Sequence, residues 1–241
     1  MTIDERTQAF LNWLHDNGAK FDKIEWPSDA TASGIRGAIA IEDINTNEHM
    51  ISIPARLMLS PPIAYKDPDI GLELRVCDDV LRGDLLMTVF CAFELSKGTD
   101  SFYYPYLAIL PEPGTISEWI DNELYMLQDD KLALRAKRRR LSIKDSYVRT
   151  MTELNKRYPT KFTFDAITQE RFLFAWYTLQ ARAFGRRLPW TALVPFADCL
   201  NHSNVQTKYD YNIDENSMFR LFPTGMNYLY ELLLTTAYKC L

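Results

Sequence analysis

Apolar and polar positions change period twice along this chain. Residues 4–17, DERTQAFLNWLHDN, open with acids and set Phe10, Trp13 and Leu14 on one stripe, which predicts a short amphipathic helix closed by Gly18. From residue 21 to 60 the runs are short and alternating. FDKIEW, IRGAIAI and HMISIP read as strands, and the polar EDINTNE between the last two suits a reverse turn. After Ser-Pro-Pro at 60–62 a helical period takes over. It predicts helices over 84–98 with Gly98 as the stop, over 129–159 ended by Pro159, and over 164–185 with Asp165 as N-cap and Gly185 as the stop. Strand-like runs return as ALVPF, VQTKYDYNI and SMFRLFP, the last two a hairpin across Asp-Glu-Asn at 214–216. β-rich, helical, β-rich is the order of an α+β fold, a sheet whose two parts are separated by a long insert.

Composition narrows the classes. With 241 residues, 47% of them hydrophobic, the chain can bury the core of one large domain or of a domain with an insert. A net charge of −5 gives no global field toward nucleic acid or an anionic membrane, and neither is expected as a partner. Cys77, Cys91, Cys199 and Cys240 are scattered without a Cys-x-x-Cys pair, so no zinc site is expected and a reducing compartment, cytoplasmic or nuclear, suits them. MTIDERTQAF shows no secretory pattern, and no apolar stretch is long enough to span a bilayer.

Few stretches carry candidate chemistry. Asp198-Cys-Leu-Asn201-His202 follows an apolar run, and asparagine offers both a donor and an acceptor, suited to a planar ligand with several acceptors. By themselves these residues suit an Asx-type turn closed by its own side chain better than a ligand pocket. SGIRGA at 33–38 allows close backbone approach to a ligand, yet it enters a strand and so departs from the dinucleotide fingerprint; by itself a plain turn explains it better. Arg182, near the end of an apolar helix, can bind the last carbonyls of that helix or fix a carboxylate or backbone carbonyl elsewhere. The run KRRR at 137–140 is expected to be a solvated helix face.

Taken in order these stretches say more. The glycine turn leading to IAIEDINTNEHMISIPARLMLSP, the block containing YYPYLAILP, and then RAF, LVPFADCLNHSN and YDY together resemble the SET-domain methyltransferases. Within them the chain is similar to the group with a large helical insert, typified by the Rubisco large-subunit lysine methyltransferase and the actin-histidine methyltransferase. The resemblance runs from Phe21 to Pro223. It implies a SET-type sheet core over 21–60 and 186–228, a helical insert over 61–185, an N-terminal helix over 1–20 and a divergent tail over 229–241.

The resemblance also implies a cofactor, S-adenosylmethionine, and a protein substrate. Gly34, Ile35 and Arg36 would wrap the methionine end of the cofactor, with Asn201 and His202 against the same molecule. Arg182 and Asp198 would line the substrate channel and Tyr211 would wall it. The implied reaction is methyl transfer to a lysine of a non-histone protein, with histidine as the alternative acceptor. The family's Gly-Glu-x-Val-x-x-x-Tyr-Gly segment is not found after FRLFPTGMNY, where the chain runs into LYELLLTTAYKCL. No residue is therefore assigned as catalytic, and a silent protein-binding module is the other expectation.

Overall fold

The computed structural model describes residues 4–28, 37–200, 207–211 and 217–224; Gly34, Ile35, Arg36, Asn201, His202 and the tail from 225 lie outside them. In chain order the elements are α1 (Glu5–Asp16), β1 (Ile24–Ser28), β2 (Gly37–Ala40), β3 (Ile51–Pro54), α2 (Pro61–Ala64), α3 (Gly71–Val76) and α4 (Asp84–Lys97). There follow α5 (Tyr104–Leu107), α6 (Asp121–Met126), α7 (Asp130–Arg157), α8 (Gln169–Arg182), β4 (Thr207–Tyr211) and β5 (Met218–Pro223). The described residues divide into two units, one holding those before Pro61, Phe102–Leu110 and those from Arg182, the other Pro61–Ser101 and Pro111–Ala181.

In the first unit, α1 starts where the Asp4 carboxylate accepts the Thr7 amide at 2.9 Å and ends at Gly18, which takes φ 78. Phe10 and Leu14 are fully buried on its inner stripe. β1 and β2 form an antiparallel pair, and β3, β5 and β4 form a second sheet in that order. Ile51 lies opposite Leu221 and Ile53 opposite Phe219, and all four are buried, so one face of β3–β5 is core. β4 and β5 are the expected hairpin, paired from Thr207↔Pro223 to Tyr211↔Phe219. The turn at 42–48 is also as expected: Asn47 sits at φ 64, and the Asn45 amide donates to the Glu48 carboxylate at 2.9 Å.

ALVPF is not a strand. Ala192 and Leu193 make single bridges to Phe184 and Leu59. Pro195 then has no N–H to extend a ladder, and Phe196 turns the chain at φ 70. The insert expected over 61–185 is interrupted, because Phe102–Leu110 belongs to the first unit. There the Tyr103 hydroxyl donates to the Arg56 carbonyl at 3.2 Å and the Tyr106 ring lies 6.0 Å from Phe10.

The second unit is helical. α4 ends on Gly98 at φ 56, and Asp129 caps α7 by accepting the Leu132 amide at 2.9 Å, both at the expected places. α8 is shorter than expected. It begins at Gln169, where Thr168 rather than Asp165 caps by accepting the Arg171 amide at 3.2 Å, and it ends at Arg182, short of Gly185. Thr163 closes a turn onto Ala166 at 3.0 Å, which leaves Asp165 outside the helix. Val89, Phe90, Met151, Leu154, Phe162 and Phe172 form the core of this unit. No helix among the described residues is long and apolar enough to cross a membrane.

Candidate functional site

Chemistry-bearing residues of the first unit converge on the short 3₁₀ turn Ala197–Cys199. Its geometry starts with Pro195 and continues with Phe196 at φ 70 and ψ −45. A bulky residue with positive φ costs about 1–3 kcal/mol unless its surroundings dictate it. Here they do: Phe196 is fully buried, stacked on Phe21 at 4.0 Å and edge-on to Trp26 at 6.2 Å. The turn closes through the Asp198 amide to the Val194 carbonyl at 3.2 Å and the Cys199 amide to the Phe196 carbonyl at 3.0 Å. This drives the Asp198 side chain inward.

Asp198 is met there by three groups. The Tyr106 hydroxyl donates to Oδ2 at 2.7 Å, and Arg182 Nη1 donates to the same oxygen at 3.3 Å and to the Asp198 carbonyl at 3.0 Å. The Cys199 thiol lies 3.7 Å from Oδ1. Burial pushes the Asp198 carboxyl above its ordinary range, and the Arg182 guanidinium opposes that rise. Burial, reinforced by the Asp198 charge, pushes the Tyr106 phenol well above its ordinary value, so it stays a neutral donor. Burial works against the Arg182 charge as well, but Asp198 outweighs it and the guanidinium stays protonated.

Of the residues picked out from the sequence, Arg182 and Asp198 are brought into direct contact. Arg182 fixes both a carboxylate and a backbone carbonyl, leaving the carbonyls of its own helix. Both bonds come from Nη1, so Nη2 and Nε have no partner among the described residues. Tyr211 ends β4 with its ring 5.1 Å from Trp190, the two forming an aromatic edge. Gly34, Ile35, Arg36, Asn201 and His202 lie outside the described residues, although Leu200 leaves the turn extended and leads directly into Asn201. Sequence reasoning missed Tyr106. It stands in YYPYLAILP, with no local signal that its hydroxyl meets a carboxylate 92 residues away.

Comparison with known proteins bears on the chain and its fold. No profile of a known protein family matches the chain. The pea chloroplastic ribulose-1,5-bisphosphate carboxylase/oxygenase large-subunit N-methyltransferase is 30% identical over 236 residues, 96% of this chain and 46% of that protein. The fold agrees with the SET domain of LSMT bound to methyllysine and AdoHcy, at a TM-score of 0.72 and 27% identity over 94% of this chain and 53% of that one. This chain has the SET-domain fold. Rubisco LSMT bound to sinefungin and monomethyllysine aligns with the SET chain similarly, at a TM-score of 0.73 and 26% identity over 94% of this chain and 52% of the other. An Arabidopsis chloroplastic fructose-bisphosphate aldolase lysine N-methyltransferase is 28% identical over 217 residues, 87% of the SET chain and 42% of that protein. The SET chain thus spans about half the length of the curated relatives it matches.

Proposed function

We propose that this SET chain is the S-adenosylmethionine-binding part of a protein-lysine N-methyltransferase acting on a non-histone protein. One observation carries the reading: the turn just before Asn201 and His202 in the sequence is anchored by a fully buried carboxylate between Tyr106 and Arg182. Such an anchor holds Asp198 and its turn in one place, which a cofactor site beside it needs and a solvated turn does not. The remaining donors of the half-buried Arg182 fit an anionic or carbonyl group of a ligand, as the cofactor carboxylate would supply. Gly34, Ile35 and Arg36 are proposed to wrap the methionine end, and Asn201 and His202 to hold the same molecule.

When bound, the cofactor supplies the methyl group that a neutral lysine amine takes up. The chain supplies placement. Trp190 and Tyr211 give an apolar edge against which a lysine stem can lie, excluding water from the amine. Relatives named for Rubisco and aldolase methylation support a non-histone acceptor.

Isothermal titration of the full chain with AdoHcy tests the cofactor site. Saturable binding is expected, with Asn201→Ala weakening it about tenfold or more, a loss of about 1.4 kcal/mol. Absence of binding by the parent chain, or equal binding by the variant, overturns the site. Radiolabel transfer from S-adenosylmethionine to lysines of a protein extract tests the activity separately.

A further inference from the structure

The ion pair beneath the Ala197–Cys199 turn is looser than its burial would require. Arg157 and Asp79, an exposed pair in the helical unit, close into a two-pronged fork at 2.8 and 2.6 Å, the geometry a guanidinium and a carboxylate favour. Arg182 and Asp198 do not. The Asp198 side chain is fully buried, yet Arg182 reaches it through Nη1 alone, at 3.3 Å, and only at Oδ2. The strong bond to that oxygen comes from the Tyr106 hydroxyl at 2.7 Å.

That hydroxyl has a fixed place. The Tyr106 amide donates to the Tyr103 carbonyl at 3.0 Å, Tyr103 is tied to the Arg56 carbonyl, and Phe102 packs edge-on against Trp13 at 5.5 Å, so α5 is held to its surroundings on both sides. The Tyr106 ring is itself fully buried, and burial with the Asp198 charge keeps its phenol protonated. Asp198 thus meets a rigid neutral donor that does not cancel its charge. Arg182 is left half engaged: its side chain keeps 22% of its surface exposed where Asp198 keeps none, and Nη2 and Nε have no partner among the described residues.

We propose that Tyr106 is a positioning residue for cofactor recognition: by occupying Asp198 Oδ2 it keeps the guanidinium of Arg182 from closing onto the carboxylate, so that Nη2 and Nε stay available to the carboxylate of S-adenosylmethionine. Without the phenol, a buried carboxylate short of donors draws the nearest cation closer. Arg182 then turns onto Asp198 as Arg157 does onto Asp79, which takes up Nη2 and more of its charge. The inference rests on the reading of Arg182 as a cofactor contact. What it adds is that a fully buried tyrosine sets how strongly the amino-acid end of the cofactor is recognised.

Isothermal titration of the full chain with AdoHcy and with 5′-methylthioadenosine, which keeps the nucleoside and thioether but lacks the amino-acid end, separates this role from a structural one. The ratio of the two affinities is the readout, since a loosened turn weakens both ligands alike. Tyr106→Phe should lower the preference for AdoHcy about fivefold or more, with methylthioadenosine binding little changed. Asp198→Asn removes the charge that competes for Arg182 and should raise the preference. Each variant is judged by its own ratio, so either one decides if the other does not fold. A parent chain that does not bind AdoHcy overturns the cofactor reading and this inference with it. A parent that binds, while Tyr106→Phe keeps the parental ratio or Asp198→Asn lowers it, overturns the role of Tyr106 alone.

Discussion

Replacing Tyr106 by phenylalanine removes one oxygen and little else, which makes it the cleanest probe of the Asp198 anchor. The ring is fully buried beside Phe10, and phenylalanine keeps that packing. What is lost is a 2.7 Å bond to a carboxylate whose other side-chain donors among the described residues are Arg182 at 3.3 Å and a weak thiol contact. A hydrogen bond to a charged group contributes about 1.5–3 kcal/mol, so urea unfolding at neutral pH should show a destabilisation of that size. For a chain of this length it corresponds to about 3–12 °C in Tm. Because the two side chains touch, a double-mutant cycle of Tyr106→Phe with Asp198→Asn should return a coupling of about 1 kcal/mol or more. The phenol adds a pH signature. Its folded-state pKa is raised, so its contribution is complete below the ordinary phenol value of about 10 and is lost as pH rises through the folded value. The alkaline limb of stability should therefore be shallower in Tyr106→Phe than in the parent. A variant within about 0.5 kcal/mol of the parent, or additive double mutants, would refute the anchor.

Two further outcomes follow from local geometry. Gly98 sits at φ 56 and ψ −129, and a Cβ added there would meet no atom within 4 Å, so Gly98→Ala should cost about 1–3 kcal/mol through the backbone alone, read as a lowered thermal midpoint. Burial pushes the Cys91 thiol up to about 12, so near pH 8 it should resist Ellman's reagent in the native chain and react once urea is added; rapid native labelling at Cys91 would contradict its burial.

Local signals were legible where their partners lie within a turn. Asp129 and Gly98 mark helix ends by bonds to residues three positions away, and the hairpin of β4 and β5 needs only a short connection. They misled where two candidates compete: Thr168 took the capping role given to Asp165, Thr163 closed a turn before it, and the apolar period alone could not foresee that Phe196 turns back. Long-range chemistry was least legible. Arg182 and Asp198 stood out as polar residues beside apolar runs, but nothing in YYPYLAILP distinguishes the buried Tyr106 from the exposed Tyr104. Their contacts are decided by tertiary packing, which composition and spacing do not encode.

The pairing of β3 with β5 has a consequence for the order in which the chain becomes ordered. Ile51 waits for Leu221, so the central sheet of the first unit cannot close until Leu221 has left the ribosome. The described residues of the helical unit end at Ala181 and are free to consolidate earlier, on contacts they already hold. Synthesis of the stretch from Arg182 to Pro223 takes on the order of 2–8 s at typical elongation rates. During that interval the nascent first unit holds β3 with Ile51 and Ile53 still waiting for Leu221 and Phe219 to cover them.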